Sequence, residues 1–154
     1  MRRMWLLLLA LACLPACDDD SSGDDTLAVV GTYVDNFMGE HAITEESWTQ
    51  TGDNPPPMGG RYTNLFHLVS FDNEARYTIG HNDADNDFSG EMYSRFDWVN
   101  HDGVLYFCQS VFDAASEDAA KAATAPDATD PATKGCGVSD MNADGFPWST
   151  LTAQ

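Results

Sequence analysis

Two alternating runs flank the tetrapeptide Asn100-His101-Asp102-Gly103, and they constrain the fold more than any other feature of the chain. Residues 92–99 set Met92, Ser94, Phe96 and Trp98 against Tyr93, Arg95, Asp97 and Val99. Residues 104–110 set Val104, Tyr106 and Cys108 against Leu105 and Phe107. A period of two is that of a strand, whose successive side chains leave on opposite faces. An Asp-Gly pair accepts the left-handed backbone of a tight hairpin turn, so the two runs predict one antiparallel hairpin at the heart of a sheet.

Short strands punctuated by Gly, Asn, Asp and Pro fill most of the chain before it. Residues 29–36 read as a first strand and 37–40 as a turn, with further strands at 41–44 and 47–51, the latter carrying Trp48. Pro55-Pro56-Pro57 makes 52–60 a loop, because proline donates nothing to a ladder. Residues 61–71 carry apolar side chains on both faces, which predicts a central strand packed on two sides. A strand at 75–81 follows. After the hairpin, Asp113 is expected to cap a helix with interior 114–125, supported by Glu117 and Lys121 four apart and stopped by Pro126. Its alanines offer no large apolar side chain, so it should cover a sheet edge shallowly. Residues 126–147 read as irregular and 148–153 as a last strand. The expected fold is mainly β: an antiparallel seven- or eight-stranded small barrel or curled sandwich, with one Ala-rich helix before the last strand.

Asp and Glu number 25 against 7 Lys and Arg, a formal charge of −18. Such a surface repels nucleic acid and anionic headgroups, and it either favours cationic partners or serves only solubility.

At the amino end, Met1-Arg2-Arg3 and an apolar run lead to Leu14-Pro15-Ala16-Cys17. These four residues resemble the lipobox of bacterial lipoproteins. The resemblance implies a signal peptide over 1–16, a diacylglycerol on the Cys17 thiol, cleavage just before it, and acylation of the new amino group. Two or three acyl chains would make attachment nearly permanent. The implied partner is thus a membrane, through the anchor, and the location the bacterial cell envelope, at the outer membrane or the periplasmic face of the inner one. Asp18 beside the lipidated residue resembles an inner-membrane retention signal. Residues 18–25, all Asp, Ser and Gly, read as an acidic tether of about 16 Å, and 26–154 as a single domain. With Cys13 lost and Cys17 lipidated, Cys108 and Cys136 remain as an even pair in an oxidising compartment, and a disulfide between them is expected.

Two further resemblances concern the domain. Gly31-Thr32-Tyr33 with a late helix resembles the lipocalin-like group, which implies a carrier of a small apolar ligand. The stretches Tyr93-Ser94-Arg95-Phe96-Asp97-Trp98, Leu105-Tyr106-Phe107-Cys108-Gln109, Gly135-Cys136-Gly137 and Phe146-Pro147-Trp148-Ser149 resemble an uncharacterised secreted bacterial domain, which implies an extracytoplasmic disulfide fold and no activity.

Chemistry is thinly signalled. Asp83, Asp85 and Asp87 alternate as calcium ligands do, and Asp140, Asn142 and Asp144 before Gly145 match the start of a calcium loop, so calcium is the one candidate cofactor. His41, His67, His81 and His101 have no short mutual spacing, so a zinc site would need separate strands. His67 reads as a hydrogen-bonded core residue. No Gly-x-Ser-x-Gly elbow is present, and no carboxylate pair is singled out. Tyr62, Phe66, Tyr93, Trp98 and Trp148 are expected in the core, with a pocket or sugar-binding face as the alternative. Arg95 should face water or meet a cross-strand acid rather than Asp97. The functional expectation is a non-catalytic binding or interaction domain, with a lipocalin-like carrier and an envelope-polymer hydrolase as alternatives.

Overall fold

A computed structural model describes residues 26–54, 56–136 and 146–154. The signal segment, Cys17, the tether, and the set Asp140, Asn142 and Asp144 lie outside the described residues.

The expected hairpin is present as β6 (Tyr93–His101) and β7 (Val104–Ala114). Asp102 and Gly103 both take positive φ, 52° and 79°, and His101 pairs with Val104 to close the turn. Six further strands complete a closed antiparallel barrel: β1 (Gly31–Asp35), β2 (Glu40–Ile43), β3 (Ser47–Asp53), β4 (Arg61–Asp72), β5 (Tyr77–Asn82) and β10 (Ser149–Ala153). The first seven strands run as a meander, and β10 enters between β7 and β1 to close the ring. Closure leaves the barrel sheet no free edge. Between β7 and β10 the chain makes an excursion through α1 (Glu117–Ala122), β8 (Gly135–Cys136) and β9 (Phe146–Pro147), the last two forming a small separate sheet.

The alternation decides what is inside. Phe96 and Trp98 of β6 and Phe107 of β7 turn inward onto Trp48, Phe66, Ile43 and Leu151, with Leu27 and Val29 in the same cluster. Trp48 stacks on Phe96 at 4.5 Å between ring centroids, and Phe66 meets Phe96 edge-on at 4.9 Å. Leu27 and Val29 precede β1, and Asn73 pins their segment by accepting from Ala28 N and donating to Thr26 O. That segment lies at the end of the barrel where the β4–β5 turn sits.

Three expectations change. The strand packed on both faces is β6, not β4: Arg95, Asp97 and Val99 are buried on the outer face as fully as Phe96 and Trp98 are inside. On β4 the outward side chains His67 and Val69 are exposed, and a bulge between Leu68 and Ser70 re-phases the alternation, so that Leu68 and then Phe71 both pack on the core. The shift thus brings Phe71 onto the face of Phe66 and Leu68, while Val69 stays outside. The helix is shorter than predicted, because 113 and 114 continue β7 and Ala114 pairs with Tyr93. Ser116, not Asp113, is the cap, its Oγ accepting from Ala119 N at 3.1 Å. The backbone turns extended at Ala123, before Pro126. The Glu117–Lys121 pair forms at 2.6 Å. Finally, α1 covers an outer barrel face over β5, β6 and β7 rather than an edge, with fully buried Ala120 against it.

Cys108 and Cys136 form a disulfide, with Cα atoms 5.5 Å apart. It anchors the excursion to the outer face of β7, in a cluster with Val99 and Trp148.

Candidate functional site

The aromatic core fills only part of the barrel. At the end carrying the β1–β2 and β3–β4 connections, a cavity of about 360 Å³ opens between strands. Its wall is built from β1, β2, β3, β4 and β7, closed on one side by the disulfide and Pro147.

Among the described residues Asp35 is the one carboxylate lining it, beside the imidazole of His41. It ends β1, and its Oδ1 accepts from Phe37 N at 2.8 Å and Gly39 N at 2.7 Å, which folds residues 35–39 into a turn on the carboxylate itself. Gly39 is required there, since a Cβ would sit 2.8 Å from Asp35 Oδ2. That second oxygen lies 3.2 Å from His41 Nε2. His41 is 4 % exposed, and its Nδ1 accepts from Trp48 Nε1 at 3.0 Å. An indole N–H only donates, so Nδ1 carries no proton and the imidazole donates to Asp35 from Nε2. The chain Trp48–His41–Asp35 therefore runs from the core to the cavity with each donor matched to one acceptor. Burial pushes the His41 pKa down, and the hydrogen bond and charge of Asp35 offset this only in part.

The opposite wall is aromatic. Tyr62 lies across Gly52, its cross-strand partner, where a Cβ would meet Tyr62 Oη at 2.6 Å. Burial raises the Tyr62 pKa, and the negative charge of Asp35 adds to the rise. Phe107 forms part of the lining, edge-on to His41 at 4.8 Å. Phe37 and Phe112 stand at the rim, 64 % and 44 % exposed. The Phe112 carbonyl is fixed from within by Asn82 Nδ2 at 3.0 Å and Ser94 Oγ at 3.3 Å, and Gln109 Nε2 donates to Ser94 Oγ at 3.1 Å.

No protein family, curated protein or solved structure matches the chain.

Of the residues singled out in the sequence, Tyr62 reaches the cavity, while Phe66 and Trp98 are core and Trp148 belongs to the cluster at the disulfide. Tyr93 packs outside, 4.9 Å from His81. His67 is not a core residue: it projects from the outer face and bonds Asp83 at 2.8 Å. The buried histidine is His41. Asp83 does not open towards Asp85 and Asp87, because one oxygen accepts from Asp85 N and the other meets His67, contacts that pull its pKa down. Among the described residues no three His, Cys, Asp or Glu side chains converge as a metal ion requires. The sequence marks His41 only as one of four histidines without ligand spacing, and Asp35 not at all. The available signal was Asp35-Asn36-Phe37-Met38-Gly39, an acid followed by a glycine at turn spacing.

Because His41 is held neutral, it binds a proton less readily in the folded chain than in the unfolded one. Stability is therefore intact above about pH 6.5 and falls as pH drops through the ordinary imidazole range, by at most about 1.4 kcal/mol per pH unit for this one group. His41→Gln keeps one acceptor and one donor but has no proton to gain. Urea midpoints taken from pH 7.5 to 5.5 should show a shallower slope in the variant; equal slopes would remove His41 from the acid response.

Proposed function

We propose that the chain is a lipid-anchored envelope protein whose barrel is a binding module, with the open mouth as its ligand site. The observation that carries the binding part is the uneven filling of the barrel. One end is packed with stacked aromatics, and the other holds a cavity near the lower end of the 300–1,000 Å³ usual for small-ligand sites. A lipocalin-like carrier of an apolar ligand has less support, since Trp48 and Phe96 occupy the depth such a ligand would need. A hydrolase that works with two facing carboxylates has less still, as Asp35 is the one carboxylate of the lining among the described residues and three N–H groups already engage it.

The anchor rests on Leu14-Pro15-Ala16-Cys17, and the disulfide agrees with an oxidising compartment. Geometry adds an orientation. Thr26 lies against Asn73 at the end of the barrel opposite the mouth, so a tether leading there would hold the mouth away from the bilayer.

Two measurements test the reading. Palmitate labelling with cell fractionation should find the wild-type chain labelled and membrane-bound, and Cys17→Ala unlabelled and soluble; an unlabelled, soluble wild type would end the anchor. Native mass spectrometry of the chain from its own cells should show a small-molecule adduct that Phe37→Ala/Phe112→Ala loses. An adduct unaffected by both substitutions would move the site elsewhere.

A further inference from the structure

We propose that the mouth of the barrel takes a small organic cation, an ammonium group on a compact apolar body. This rests on the mouth being a binding site and names the chemistry it selects. Asp35 puts a carboxylate in the wall, and among the described residues no Lys or Arg lines the cavity. The nearest arginine in sequence, Arg61 beside Tyr62, is tied to Glu40 at 2.7 Å. An anion would thus meet the field of Asp35 with no compensating charge, inside a chain of net charge −18.

A neutral apolar ligand would fit the rings but would strip water from the carboxylate without replacing it, which is costly for a charged group. A cation answers both walls at once. Its charge faces Asp35, and its alkyl groups lie on Phe37, Tyr62, Phe107 and Phe112, whose ring faces attract cations. The carboxylate is also fixed in advance. Two backbone N–H groups and the His41 imidazole hold it, and His41 is itself held by Trp48, so little ordering remains to be done on binding.

Three probes of one shape and different charge separate the possibilities: choline, 3,3-dimethylbutan-1-ol and 3,3-dimethylbutanoate. Each is titrated calorimetrically into the full chain in maltoside solution. The expected result is choline at least tenfold tighter than the alcohol, with no measurable heat from the anion. Phe37→Ala and Phe112→Ala should each weaken choline at least threefold; both side chains are exposed enough that the thermal midpoint should stay near wild type. Asp35→Asn keeps an oxygen for the two turn N–H groups and should bring the choline-to-alcohol ratio close to one. An alcohol that binds as tightly as choline, at a site the Phe variants weaken, would overturn the cation and leave the mouth as a binding site. Silence from all three probes would count against the mouth itself.

Discussion

Arg95→Met should destabilise the barrel by about 3–5 kcal/mol, the usual cost of removing one member of a buried ion pair. Arg95 and Asp97 are each 4 % exposed, on the outer face of β6 beneath α1. The guanidinium makes a bidentate contact, with Nη2 2.8 Å from Asp97 Oδ1 and Nε 3.1 Å from both carboxylate oxygens. Its Nη1 donates to the carbonyls of Lys121 and Ala123 at 3.0 Å each, so the same side chain closes the C-terminal end of the helix. Tyr77 presents its ring 4.3 Å from the guanidinium carbon. Methionine would fill much of the volume and answer none of these groups, leaving a carboxylate and two carbonyls buried without their partner.

The sign of the pH response separates this account from a simple packing loss. Burial already pushes the Asp97 carboxyl up, against the pull of Arg95 and Ser110. Without Arg95 the rise must be larger, so the folded variant holds its proton more strongly than the unfolded chain. The Asp97 contribution in Arg95→Met should therefore be fully present below the unfolded carboxylate pKa, about 3.9, and be lost as pH rises through the raised folded value. The deficit relative to wild type should be smaller at pH 4.5 than at pH 7 in urea titrations. Adding Asp97→Leu should recover at least half of it at pH 7, because a buried pair is far cheaper to replace than to break. A deficit independent of pH, or a double variant worse than the single one, would refute the ion-pair account.

What the sequence disclosed follows from how local each signal is. The hairpin was legible because Asp102-Gly103 and the flanking alternation state turn and register within about 20 residues. The Arg95–Asp97 contact was within reach and was missed: residues two apart on a strand share a face, so the acid nearest in sequence was the natural partner, not a cross-strand one. The bulge on β4 was not legible, because an extra residue is visible only once the partner strand is known, here as Leu68 opposite Gly80 and Ser70 opposite Ile79. Nor was the mouth. Asp35, Tyr62, Gln109 and Phe112 converge only when β10 closes the ring, and nothing local in residues 148–153 says which two strands they will join.

Losing the Cys108–Cys136 bond should cost about 3.5 kcal/mol, read from the chain-entropy relation for a sequence separation of 28. The excursion it closes contains α1 and little core of its own, with Ala120 as the one fully buried helical side chain. In the unfolded chain the bond removes much of that segment's freedom, and in the folded chain it holds Cys136 beside Val99 and Trp148. Both cysteines also line the mouth, which links stability to binding. The Cys108→Ala/Cys136→Ala variant should have a lower urea midpoint and a somewhat steeper slope, because the uncrosslinked unfolded chain exposes more surface, and its affinity for choline should fall while Asp35, His41 and Trp48 stay in place. Reduction of the wild type should reproduce both effects, and in the oxidised chain neither cysteine should react with a thiol reagent even after unfolding, since both sulfurs are held in the bond. A variant within about 1 kcal/mol of wild type would mean that the Arg95 contacts to the helix carbonyls and the packing of Ala120 hold the excursion without the bond, and that the bond acts on the wall of the cavity rather than on the fold.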